Sequence, residues 1–146
     1  MRRSGRGTRT FLLDNNVFIA AIRRPARETA TLRLILRIIQ DGSIRLVGNE
    51  YLLEEMARYA EVFRSGMAST LLHALISKMD VVEVKGKFIT ICGDYMDLSD
   101  PADIIHAATC LQTDATMITN DHHFDGIRDR EIIEVWSITE AMHRLL

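Results

Sequence analysis

Two short apolar runs that each lead into an aspartate constrain this chain more than any other feature. TRTFLLD is apolar from Phe11 to Leu13 and stops at Asp14, and ATMIT is followed by Asn120 and Asp121. Continuous apolar runs of this length read as strands buried on both faces, as in parallel sheets. An acid at the end of each is then delivered to the carboxyl edge of the sheet. Parallel strands need long crossovers, usually helices, so the sequence between the runs should carry helical spacing.

It does. Val17 to Ile22 and Thr29 to Ile39 have helical apolar spacing, with Leu32, Ile35, Leu36 and Ile39 on one stripe and Pro25 between the two pieces. Asp41-Gly42 ends the second helix, SIRLVG reads as a strand, and Asn49 is a good cap for a helix carrying Leu52, Leu53, Met56 and Tyr59. Gly66 separates this helix from another over Met67 to Met79, VVEV supplies a strand, and Lys85 to Met96 is weakly helical. SDPADIIHAATCLQ is the clearest helix start, with Asp100 as cap, Pro101 at the first position and Asp103 in the first turn. IIEVW reads as the last strand and Ser137 caps a closing helix to Leu145. The alternation predicts an α/β fold with a largely parallel sheet covered by helices on both faces. Ligands bind such sheets at the carboxyl ends of strands, near a topological switch point, where Asp14 and Asp121 both belong.

The length of 146 residues suits one domain. We expect residues 1–9 to form a basic, flexible extension and residues 10–146 the domain. A hydrophobic fraction of 47% and a charged fraction of 26% are those of an ordinary globule, and no segment has the apolar length a bilayer requires. The run after MRRSGRGTRT is broken at Asp14, so no secretory signal is read and a cytoplasmic location without membrane attachment is expected. Cys92 and Cys110 lie far apart without metal-ligand spacing and are expected to be two buried thiols. Charge is segregated: residues 1–37 carry nine arginines against Asp14 and Glu28, a sum of +7, and the remainder sums to −9. Such a chain can attract a polyanion with one surface and cations with another.

Asp14, one of Glu54 or Glu55, Asp103 and Asp121 come from four distant parts of the sequence, each near the end of an element that can face one edge of the sheet. Clustered carboxylates repel unless a cation joins them, and oxygen-only ligands suit hard ions such as Mg2+ or Mn2+. Two such ions can activate a water and stabilise the leaving oxygen of a phosphodiester. Taken singly, Asp14 could be a helix cap, Glu54 and Glu55 solvated helix residues, and Asp103 a first-turn acid. Asp94 and Asp97 read as solvated loop acids, and His122 and His123 as surface histidines.

With these residues in view the chain resembles the PIN-domain family, which includes the VapC-type toxins of toxin–antitoxin systems. FLLDNNVFIAAI is similar to the family's strand, acid and apolar helix, with Asn15 where Thr or Ser is more usual. EYLLEEMARYAEVF fits the second acid best with Glu55 before Met56, Glu54 being the alternative register. DPADIIHAAT matches the third through Asp103 and Ala107, and Thr119-Asn120-Asp121 followed by Phe124 matches the fourth. The resemblance spans roughly Phe11 to Glu140. It implies a three-layer α/β/α sandwich with a five-stranded parallel sheet, and a Mg2+- or Mn2+-dependent endoribonuclease acting on single-stranded RNA. It also implies a homodimer and, for a toxin, an antitoxin that blocks the acidic pocket. Asp14, Glu55, Asp103 and Asp121 would form the catalytic metal cluster, and Thr119 would orient ligands or the scissile phosphate. Asn15 would stand at a phosphate contact, and Arg23, Arg24 and Arg27 would track the RNA backbone.

Other readings fit less of the sequence. A haloacid-dehalogenase-like phosphatase needs a second aspartate where Asn16 stands, and a receiver domain needs an adjacent acidic pair and a late lysine. A PIN-like scaffold that binds RNA or a partner without cutting is the non-enzymatic alternative, against which the presence of all four acids argues.

Overall fold

A computed structural model describes residues 9–23, 29–97 and 100–146. Five strands, Arg9–Leu13 (β1), Ile44–Gly48 (β2), Met79–Val81 (β3), Thr116–Ile118 (β4) and Val135–Trp136 (β5), form one sheet in the order β3-β2-β1-β4-β5. Every pairing is parallel. The chain winds outward from β1 to β3, then returns to the other side of β1 for β4, so the switch point lies between β1 and β4. Leu13 registers with Ile118, and Asp14 N donates to Ile118 O at 3.1 Å, which puts the residues following the two strands side by side.

Helices Asn15–Ile22 (α1) and Ala30–Gln40 (α2) link β1 to β2, Glu50–Phe63 (α3) and Gly66–Lys78 (α4) link β2 to β3, and Gly86–Gly93 (α5) and Pro101–Thr113 (α6) link β3 to β4. The short Asp125–Asp129 (α7) precedes β5 and Ile138–Leu145 (α8) closes the chain. α1 packs on α2 and α3, and α2 on α8, whereas α5 packs on α6. The result is the α/β/α sandwich expected from the sequence. The strand residues Phe11, Leu12, Leu13, Leu46, Val47, Met117 and Ile118 are fully buried, as two-sided coverage requires. No helix among the described residues is long and apolar enough to cross a membrane.

Several elements differ in detail from the sequence reading. α2 buries Leu34, Ile35 and Ile38 most deeply, with Leu32, Leu36 and Ile39 partly buried at its flanks, because α1 and α8 cover it from two sides. β3 begins at Met79 rather than Val81: Met79 leaves the helix to pair with Leu46, and of VVEV only Val81 lies in the strand. α1 starts at Asn15, not Val17, because the Asp14 side chain accepts from Asn15 N and caps the helix. β5 is confined to Val135–Trp136. The 3-10 turn His122–Phe124 and α7 had no periodicity by which to be read. Arg9, assigned from sequence to the extension, is the first residue of β1; residues 1–8 lie outside the described residues.

Candidate active site

The carboxyl edge of β1 and β4 is organised by a threonine. Thr119 Oγ1 donates to Asp14 Oδ2 at 2.8 Å and accepts from Asp121 N at 2.9 Å, so one buried hydroxyl joins the acid after β1 to the acid after β4. Asn16 closes the arrangement, its Nδ2 lying 3.0 Å from Thr119 Oγ1 and 3.3 Å from Asp14 Oδ2. Asp14 is 6% exposed. Burial raises its pKa, against the lowering effect of the Thr119 hydrogen bond and the Asn15 N–H, while the charge of Glu55 raises it further.

The start of α6 brings in the third acid. Asp100 caps the helix through Ala102 N at 3.1 Å and Pro101 occupies the first turn, as expected. This places Asp103, 7% exposed, beneath the turn that follows β4. Burial drives the Asp103 carboxyl up to about 6, and the charges of Asp100, Asp121 and Asp14 add to the rise. His123 Nδ1 lies 2.9 Å from Asp103 Oδ2 and 3.4 Å from Asp121 Oδ1. The Asp103 hydrogen bond raises the His123 pKa in turn, with the Asp121 charge adding to it. Ligand atoms of Asp100, Asp103 and His123 all fall within 4.8 Å of one another. His122 is a solvated side chain paired with Asp125, but His123 is not merely a surface histidine: the 3-10 turn capped by Asp121 carries its ring back over α6.

α3 supplies Glu55. Glu54 is exposed, whereas Glu55 turns inward and its Oε1 lies 2.7 Å from Nε2 of the fully buried His106 on α6. Asn49 backs this pair: its Nδ2 reaches His106 Nδ1 at 3.1 Å and Thr109 Oγ1 at 2.9 Å while its Oδ1 caps α3 through Leu52 N at 2.9 Å.

The fold therefore brings Asp14, Glu55, Asp103, Asp121 and Thr119 to one edge, within electrostatic reach of one another in the pairs described above. Asn15 flanks them but points into protein: it is 6% exposed and its Oδ1 has no partner among the described residues. Arg23 is the C-cap of α1, about 14 Å along the helix from Asp14, and Arg24 and Arg27 lie outside the described residues. The sequence reading passed over Asn16 and His106 as site residues. His106 follows Asp103 by three positions and so shares its helix face, a signal present in DIIHAAT.

A parallel α/β sheet whose switch point gathers two buried carboxylates, Asp14 after β1 and Asp103 on α6, beside the half-buried Asp121 after β4 and Glu55 on α3 defines the class of protein. The PIN domain profile matches residues 11–129, and the chain belongs to the PIN-domain family, a family of nucleases. Comparison with curated proteins gives no match. Among solved structures, a chain of VapBC-1 from nontypeable Haemophilus influenzae is 18% identical with a TM-score of 0.62, covering 89% of this chain and 98% of its own. A chain of VapBC2 from Rickettsia felis, solved bound to a promoter DNA fragment, is 12% identical with a TM-score of 0.61 over 88% and 98%. FitAcB from Neisseria gonorrhoeae is 18% identical with a TM-score of 0.58 over 88% and 98%. At these identities the likeness is one of fold.

Proposed function

We propose that this chain is a metal-dependent endoribonuclease that hydrolyses phosphodiester bonds of single-stranded RNA, and that it serves as the toxin of a VapBC-type pair. The observation that carries the reading is the near-complete burial of Asp14 and Asp103 at one strand edge with Asp121 and Glu55 in their field. Burying like charges together is costly unless a cation is shared. The donor set fits a hard divalent ion, Mg2+ or Mn2+: carboxylate oxygens dominate it, with His123 Nδ1 the sole nitrogen of the Asp100, Asp103 and His123 group. Asp14, Glu55, Asp103 and Asp121 would hold the ion. When bound, it supplies a water of lowered pKa and positive charge for the leaving oxygen.

The chain's own groups do the positioning. Thr119 fixes the Asp14 carboxylate and the turn carrying Asp121, and Asn16 restrains both Asp14 and Thr119. Arg23, with Arg24 and Arg27, is assigned to RNA phosphates, which supply affinity without sequence choice, whereas the Asn15 side chain is buried. The structural neighbours are VapBC and FitAB assemblies, which supports an antitoxin as partner, and we assign the chain to a homodimer.

The test is cleavage of a mixed single-stranded RNA pool by purified protein in Mn2+, Mg2+ or EDTA, beside Asp14→Asn and Asp103→Asn. Metal-dependent cutting lost in both variants is the expected result. Cutting that persists in EDTA, or in both variants, would reject the metal-site reading.

A further inference from the structure

We propose that Asn49 and His106 form a buried relay that aims Glu55 at the carboxylate cluster, with His106 a positioning residue that acts on the metal through Glu55. The inference rests on the metal-site reading above.

The hydrogen bonds fix the direction of every link. Leu52 N donates to Asn49 Oδ1 at 2.9 Å, so the amide cannot be turned over and Nδ2 must be the end facing α6. Thr109 Oγ1 gives its proton to Ile105 O at 2.8 Å and therefore accepts from Asn49 Nδ2 at 2.9 Å. The second amide hydrogen points at His106 Nδ1, 3.1 Å away, which must then be a bare acceptor. The ring carries its proton on Nε2, and that N–H donates to Glu55 Oε1 at 2.7 Å.

Each donor hydrogen in the series has one acceptor, and each of Asn49, His106 and Thr109 is at most 2% exposed. The series is thus rigid, and it ends on a partly exposed carboxylate whose charge is felt at Asp14. A free glutamate loses side-chain entropy when it is immobilised. His106 imposes that restriction before any ion arrives. Groups that orient a ligand in this way commonly change metal affinity 10–100-fold when removed.

A buried polar series could instead serve to hold α3 on α6 and nothing more. Titration calorimetry with Mn2+ alone separates the two roles, using wild type, His106→Leu, His106→Gln, Glu55→Gln and the Glu55→Gln/His106→Leu double variant. We expect His106→Leu to weaken Mn2+ binding about tenfold or more. His106→Gln, which can offer an amide N–H near the position of Nε2, should restore most of the affinity. In the Glu55→Gln background, the His106→Leu change should have no further effect, because the interaction it removes is already gone. Should His106→Leu fail to fold, Asn49→Ser gives the same reading: Ser retains a cap for α3 but loses the donor to Nδ1, and affinity should fall in the same direction. Unaltered Mn2+ affinity in folded His106→Leu or Asn49→Ser, or an equal loss with and without Glu55, would overturn the relay alone. Wild-type protein that binds no Mn2+ would overturn the metal reading and the relay with it.

Discussion

The two edges of the sheet both gather acids, but they neutralise them in different ways. At the amino ends of β4 and β5 a groove of about 620 Å3 is lined by Asp114, Glu131 and Glu140 together with Arg128 and Arg144. Acid and arginine interleave there: Arg144 Nη2 lies 3.2 Å from Glu140 and its guanidinium stands over the Trp136 ring at 4.8 Å. At the carboxyl edge, the buried Asp14 is met by the Asn15 N–H, the Asn16 amide and the Thr119 hydroxyl, all uncharged donors. Solvated pairs of the first kind contribute under about 1 kcal/mol each. Carboxylates of the second kind are destabilised by burial and gain from an external cation. The difference separates a surface that merely carries charge from one organised to receive it.

The largest effect that could break this comparison is the loss of an acid at the carboxyl edge. Asp14→Asn and Asp103→Asn should each lower metal-dependent cleavage by more than about 100-fold, beyond the range of groups that only support a metal ligand. Thermal unfolding of the metal-free variants should meanwhile match or exceed wild type, because a buried charge has been removed. A variant that loses activity together with stability would mark the acid as structural. On α3, Glu55→Gln should reduce cleavage far more than Glu54→Gln, since Glu55 turns inward and Glu54 is exposed; the opposite ranking in side-by-side assays would show that the second acid is misassigned.

These contrasts track what could be read from the sequence. β1, β4 and the acids that follow them were legible because a continuous apolar run and its polar end are local properties. So was α6, whose Asp100 cap and Pro101 lie within a few residues of Asp103. The Glu54 and Glu55 registers stayed open because helical position within α3 does not reveal what α6 presents opposite. The same limit hid Asn16 and His106: their roles arise from the β1–β4 and α3–α6 contacts, between residues 103 and 51 positions apart. The start of β3 was misjudged because Met79 continues the spacing of α4, and pairing with Leu46 overrides that local pattern.

A smaller effect is expected from pH in the absence of divalent ions. Burial lifts the Asp103 carboxyl from 3.8 to about 6. Between those values the folded chain retains a proton that the unfolded chain has released, so stability falls as pH rises through that window. His123 acts in the same direction: its pKa is raised from 6.5, so its contribution is complete below 6.5 and is lost as pH climbs through the higher folded value. The metal-free melting temperature should therefore decline as pH rises from 3.8 through about 6 and on past 6.5, and decline less in Asp103→Asn. An identical decline in the variant would mean that Asp103 is not the group responsible.

The smallest effect belongs to the opposite edge. Arg144→Ala removes an exposed pair with Glu140 and the stacking on Trp136, interactions worth roughly 1 kcal/mol or less each. Melting should drop by about 2–4 °C per kcal/mol lost, and RNA cleavage should stay within about twofold of wild type, since the interactions removed lie across the sheet from Asp14. Salt sharpens the point. If Arg23 and its neighbours hold RNA phosphates, affinity for RNA should fall steeply with ionic strength, and the slope should be the same in Arg144→Ala and wild type. A shallower slope in that variant, with cleavage reduced and the fold intact, would place the groove on the RNA path, and the two edges could no longer be assigned separate roles.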